Sequence, residues 1–191
     1  YYIMTQLFTK SRFKLALECP TKLFYASLPE RYNNQNEDDE FLRSLAEGGF
    51  QVGALAKLYR GVEYDLSDCK GYDEPLKETE RLLKENTNVI IAEAAFKWNN
   101  CFVRVDILEK RGNTLHIIEV KAKSSEGENE RFVNIKTGGV LSDWLPYVYD
   151  VAIQKYVVQQ AMQEYNVTAS LMMADKTKSA DVDHLNQMFA I

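Results

Sequence analysis

Residues 89–123, VIIAEAAFKWNNCFVRVDILEKRGNTLHIIEVKAK, constrain the fold of this chain more than any other stretch. Alternating apolar runs are separated by Asn99-Asn100 and by Gly112-Asn113. Two-residue hairpin loops need φ > 0, which Gly and Asn tolerate, so the stretch reads as a three-stranded meander. The loop lengths fix the register: opposed residues sum to 199 across the first turn and to 225 across the second. Glu93 is then expected opposite Asp106, and Asp106 opposite Glu119, placing three carboxylates in one row. Directly opposed like charges on neighbouring strands are destabilising, so such a row calls for a cation.

The rest of the chain supplies what packs on the meander. Thr9 and Ser11 offer N-caps for a helix running to Pro20, which either kinks it or opens a continuation through Leu23, Phe24 and Tyr25. Lys10, Arg12, Lys14 and Lys22 make this segment locally basic. Residues 29–40 read as a loop. Asp38-Asp39 then cap a helix to about Tyr59, with Phe41, Leu42, Leu45, Val52, Leu55, Ala56 and Tyr59 on its apolar face. Gly48, Gly49 and Gly53 interrupt it; each costs about 1 kcal/mol relative to Ala, so close packing or a break is expected there. Residues 62–65 suit a short strand, Pro75 opens an amphipathic helix to Asn86, and residues 124–139 form a polar connection. A helix over residues 146–165 and a strand over residues 167–173 complete the order. The expectation is a single α/β domain over residues 1–191, with a mixed sheet flanked by helices.

With 46% hydrophobic and 27% charged residues, the composition is that of a globular protein, and no apolar run approaches a membrane span. The chain opens on Tyr1 and reads as part of a longer protein. Cys19, Cys69 and Cys101 are odd in number and widely spaced, which is neither a disulfide framework nor a zinc pattern and suits a cytoplasmic setting. The net charge of −5 argues against a protein that coats nucleic acid electrostatically, but not against local binding through a metal and a basic strip.

Strand alternation puts Glu93, Arg104, Asp106, Glu119 and Lys121 on one face, and Ala92, Ala94, Val103, Val105, Ile107, Ile118 and Val120 on the opposite, core side. Ile91, Leu108 and Ile117 share the polar face and imply cover by a helix. Carboxylates under such cover need partners. Mg²⁺ or Mn²⁺ suits them, because hard divalent ions take oxygen ligands together with substrate phosphates. Lys121, two residues after Glu119, would stand beside the metal and offset charge developing on a phosphoryl group. The plainer alternative is a charge ladder, with Glu93 paired to Arg104 and Asp106 to Lys121.

Asp106, followed thirteen residues later by Glu119-Val120-Lys121, resembles the D…ExK signature of the PD-(D/E)XK nuclease superfamily, in particular its RecB-like exonucleases and their CRISPR-associated members. SRFKLALECP, ending in Cys19-Pro20, resembles that branch's N-terminal helix motif. Ala92-Glu93-Ala94 resembles its acidic strand, and DVAIQKY from Asp150 its later Gln-bearing helix. The resemblance spans residues 9–175. It implies a restriction-endonuclease-like fold and metal-dependent hydrolysis of single- or double-stranded DNA. Asp106 and Glu119 would be metal ligands, with Glu93 as a third, Lys121 the catalytic lysine and Gln154 the helix residue of the site. It also implies a helicase-like or other neighbouring domain, and Cys19 as one ligand of a 4Fe–4S cluster. No acid stands where the family often has a helix-borne ligand near Gly53, leaving Glu47 or Glu93 to substitute. The alternative is a catalytically inert nuclease-fold module serving DNA binding or assembly, and a third reading is a hydrolase of another phosphoester. His116 is expected to be packed or hydrogen-bonded, Trp144 and Tyr147 to belong to the core, and Cys69 and Cys101 to be structural.

Overall fold

The computed structural model describes residues 7–32, 40–127, 130–178 and 189–190. The expected meander forms as β3 (Asn88–Trp98), β4 (Cys101–Arg111) and β5 (Thr114–Ser125). Asn99 and Gly112 hold φ of 50° and 53° in the two turns. Registers follow the loop lengths, with Ala92 opposite Ile107 and Ile107 opposite Ile118. Around the meander the sheet is mixed, with seven strands among the described residues. β2 (Tyr64–Asp65) runs parallel to β3, β6 (Asn166–Asp175) parallel to β5, and β7 (Phe189–Ala190) antiparallel to β6.

Between β4 and β5 the ladder stops at Ile107–Ile118. Past that point the two strands part, and a short N-terminal strand, β1 (Phe8–Thr9), pairs parallel with β4 at Cys101 and Phe102. The Phe8 N–H donates to the Asn100 carbonyl at 2.7 Å. Thr9 then caps α1 (Lys10–Glu18), its hydroxyl accepting from the Arg12 N–H at 3.4 Å. Pro20 opens a separate helix, α2 (Pro20–Ala26), where its missing N–H costs nothing.

A helix covers the sheet on one side. α3 (Glu40–Arg60) packs Val52, Leu55 and Ala56 against Ile90, Ile107, Ile118 and Met172. Its proposed caps Asp38 and Asp39, and the side chains of Phe41, Leu42 and Leu45, lie outside what is described. The helix runs unbroken through Gly48, Gly49 and Gly53, and a Cβ on any of them would meet nothing within 4 Å. Neither the expected break nor close packing occurs; the glycine face is open.

The larger cluster joins Leu82 and Leu83 of α4 (Asp73–Glu85) and Val157 and Val158 of α5 (Leu145–Ala161) to Ile91, Leu108 and Ile117. This is the helical cover expected for those three. Ala94, Val103 and Val105 join the same cluster, whereas Ile107, Ile118 and Val120 pack on the α3 side. Simple alternation had grouped all six together. It resets at the Glu93/Asp106 row, where Glu93 adopts φ 58° and drops out of the ladder. A non-glycine residue in the left-handed region costs about 1 kcal/mol or more and is held there only by its surroundings. α5 ends at Ala161 rather than Tyr165, and the Met162 N–H caps the Val158 carbonyl. No helix among the described residues is long and apolar enough to cross a membrane.

Candidate active site at the strand fork

The parting of β4 and β5 leaves backbone groups without ladder partners, and the site is built from what replaces them. The Val120 N–H donates to Asp106 Oδ2 at 2.8 Å, so a side chain stands in for a main-chain acceptor. Glu119, one residue earlier, is fully buried. Its carboxylate accepts from Lys10 Nζ at 2.8 and 3.1 Å, from Lys121 at 2.6 Å and from Gln154 Nε2 at 2.6 Å. Lys10 Nζ also lies 3.8 Å from Asp106 Oδ1. Lys121 reaches on to Asp150 Oδ2 at 2.6 Å, and Lys14 approaches the same oxygen at 3.4 Å. A register shift in β5 just after Lys121 interrupts its pairing with β6, which resumes at Ser124, the usual way a bulge re-aims a neighbouring side chain.

Asp150 and Gln154 come from one buried stripe of α5, Asp150–Gln154–Val157–Val158. The stripe is apolar where it meets the core and polar where it meets the fork. Gln154 is therefore no solvent-facing residue. Its Nε2 donates to two acceptors, Glu119 and the Asp150 carbonyl. This fixes the amide orientation and leaves Gln154 Oε1 buried without a partner, as is Asp150 Oδ1. Two orphaned buried oxygens beside a charge cluster are places for a donor such as water.

The charges perturb one another in a consistent way. Burial and the neighbouring Glu119 raise Asp106 to about 7. Burial alone would raise Glu119 too, but Lys10 and Lys121 outweigh it and hold the carboxyl well below its ordinary value. Both ammoniums lose hydration, yet their carboxylate partners hold them above the usual lysine range. Of the two carboxylates, Glu119 is the more strongly held as an anion.

Of the expected site residues, the fork brings together Asp106, Glu119, Lys121 and Gln154. Glu93 lines the same cleft but turns to Arg104, its Oε2 3.2 Å from Nε. The continuous three-acid row does not form, because the ladder is broken on both sides of Asp106. Glu47 is exposed on α3 and does not line the cleft. Asp106 pairs with Lys10 rather than with Lys121. Lys10 and Asp150 were not expected at the site. Signals for both existed: Lys10 in the basic N-terminal segment, and Asp150 one turn before Gln154.

Two carboxylates converge on a single point of positive charge, and their all-oxygen donors suit a hard ion of the Mg²⁺ or Mn²⁺ kind, which commonly uses one or two carboxylates plus water and phosphate. Among the described residues, no three His, Cys, Asp or Glu side chains gather for a metal. Cys19 sits between α1 and α2, and Cys19, Cys69 and Cys101 form no disulfide among the described residues.

Opening onto the fork is a cleft of about 860 Å³. Lys10, Glu93, Asp106, Glu119 and Lys121 form its floor, and Gly49, Gly53 and Gly61 with Phe50 and Lys57 line its α3 side. Phe50 is 77% exposed. A hollow of similar size lies between α5 and β6, lined by Val148, Val151, Leu171 and Met173, away from the converging acids. His116 bonds through both ring nitrogens, to Thr168 Oγ1 at 2.7 Å and Ser170 Oγ at 3.0 Å. Trp144 is buried against Phe132 and Tyr147, with the Lys123 ammonium 4.1 Å from its ring centroid. Compared with known proteins, the chain matches no family model, no curated protein and no solved structure.

Proposed function

We propose that this chain is a metal-dependent nuclease domain of the RecB-like type, with a restriction-endonuclease-like core, hydrolysing DNA phosphodiester bonds. The observation that carries the reading is the convergence of Asp106, Glu119 and Lys121 on the floor of an open cleft. The D…ExK spacing in the sequence agrees with it. A hard divalent ion at these carboxylates supplies Lewis-acid polarisation of a phosphoryl oxygen. Asp106 and Glu119 would hold it, and Gln154 keeps Glu119 oriented. Lys121, anchored between Glu119 and Asp150, presents a permanent positive charge where negative charge grows on the phosphoryl group. The bare helical backbone at Gly49 and Gly53 leaves room for a strand to approach the floor.

One observation favours the inert-module alternative. Lys10, Lys14 and Lys121 already balance Asp106, Glu119 and Asp150 charge for charge, so the protein has no electrostatic need of a metal. Cleavage of single- and double-stranded DNA in Mg²⁺ or Mn²⁺ decides between them. Activity should vanish in Asp106→Asn and Lys121→Met. Variants that cut as well as the parent would remove the nuclease assignment, and a parent that neither cuts nor binds millimolar Mn²⁺ would establish the inert module.

A further inference from the structure

We propose that Lys10 is the built-in cation of the site: its ammonium occupies the point where Asp106 and Glu119 converge in the metal-free protein, and it withdraws into the cleft when a divalent ion binds. The inference rests on the metal-site reading above and assigns a positioning role to a residue outside the D…ExK pattern.

Three observations carry it. First, Lys10 Nζ sits 2.8 and 3.1 Å from the two Glu119 oxygens and 3.8 Å from Asp106 Oδ1. It is the one ammonium bridging both acids among the described residues; Lys121 bridges Glu119 to Asp150 instead. An ion ligated by the same oxygens would have to stand where this ammonium stands, and two cations cannot share so small a space.

Second, the placement is built by the backbone. β1 adds to the half of β4 that β5 has left, and Thr9 then caps α1, so Lys10 is fixed as the first helical residue beside the fork. Arriving through a strand register and a cap, it is not a long surface side chain that happened to fold inward.

Third, the site needs a cation at all times and gives this one a way out. Glu119 is fully buried and would be an uncompensated charge without partners. Lys10 is about a quarter exposed and lines the cleft, so rotation of its side chain takes the ammonium into open space without moving α1. There it faces any polyanion entering the cleft. Lys121 differs: Asp150 holds it from the other side and leaves it in place when Glu119 changes partner.

The test is Mn²⁺ binding by calorimetry, together with thermal unfolding, for the parent, Lys10→Met, Lys10→Arg and Asp106→Asn. Lys10→Met should bind Mn²⁺ at least about tenfold more tightly than the parent. It should unfold at lower temperature without metal and recover the difference in saturating Mn²⁺. Lys10→Arg, which keeps the charge, should bind Mn²⁺ no more tightly than the parent. Because Lys10→Met without metal can be too unstable to study, the parent provides a second measurement. The rate at which an amine-reactive reagent acylates Lys10, read by mass spectrometry, should rise on adding Mn²⁺. Equal Mn²⁺ affinity in parent and Lys10→Met, or an acylation rate unchanged by saturating Mn²⁺, overturns the proposal. If Asp106→Asn alone loses binding in that case, the metal site itself stands. If none of the four proteins binds Mn²⁺, both the proposal and the metal site fall.

Discussion

Asp150→Asn separates the anchoring of Lys121 from the rest of the charge cluster, because it removes one charge while keeping the side chain's size. Around the fork, three carboxylates (Asp106, Glu119, Asp150) face three ammoniums (Lys10, Lys14, Lys121). The substitution leaves one positive charge in excess. Removing one partner of a buried ion pair typically costs about 3–5 kcal/mol. Here Lys121 keeps Glu119 at 2.6 Å, and Lys14 is half exposed, so the loss should be nearer about 2 kcal/mol. For a chain of this size that lowers the unfolding midpoint by about 4–8 °C. Thermal unfolding followed by circular dichroism measures it, and Lys84→Ala, which breaks only an exposed pair with Glu80, should leave the midpoint in place. A midpoint for Asp150→Asn within roughly 1 °C of the parent's would refute the reasoning, since Lys121 would then be held by Glu119 alone. A rise would mean that desolvation of Asp150 outweighs its pairing.

Gly53→Ala should stabilise α3 by about 0.5–1 kcal/mol, because the helix is continuous there and a Cβ meets nothing. Gly53→Trp should unfold no earlier than the parent, yet cut DNA about tenfold or more slowly by standing in the cleft; unchanged cleavage would place the substrate elsewhere. Burial, helped by Arg60 and opposed by Glu109, lowers the pKa of His116 below its ordinary 6.5. The unfolded chain therefore binds the proton more readily, and the stability from neutral His116 is complete above about 6.5 and lost as pH falls through the lower folded value. Unfolding midpoints between about pH 7.5 and 5.5 should consequently fall less steeply for His116→Gln than for the parent; parallel curves would contradict the assignment.

What could be read from the sequence depended on how local the determinant was. The meander and its register were legible because two dipeptides with tolerance for φ > 0 set them. Glu93 was misplaced, since period-two alternation assumes an unbroken strand, whereas Glu93 takes a left-handed φ and drops out of the pairing of β3 with β4. The three glycines of α3 suggested a break, but the contacts of Val52, Leu55 and Ala56 with the sheet outweigh their summed propensity penalty. Asp106, Glu119 and Lys121 were recognisable from spacing on adjacent strands, and Gln154 only from a family resemblance. Lys10 stands 109 positions from Glu119, and Asp150 stands 29 positions from Lys121. Nothing in a local pattern connects either pair; the first link is made by β1 adding to β4, the second by α5 packing under the fork.

The fork also decides which substitution of Asp106 is informative. The β4–β5 ladder stops at Ile107–Ile118, and beyond it Asp106 Oδ2 accepts from the half-buried Val120 N–H. Asp106→Ala therefore removes a hydrogen bond as well as a charge, and an unsatisfied donor of this kind costs about 1–3 kcal/mol. Lost cleavage in that variant would report on a displaced Glu119-Val120-Lys121 segment as readily as on lost chemistry. Asp106→Asn keeps an amide oxygen for Val120 and puts its NH₂ at the Oδ1 position, which faces Lys10, so it removes the negative charge while keeping the shape and the Val120 bond. Lost Mn²⁺ binding at an unchanged midpoint would then point to the charge itself. The residue that closes the open end of the sheet is the same one that opens the site, so its structural and chemical roles separate only in the isosteric variant.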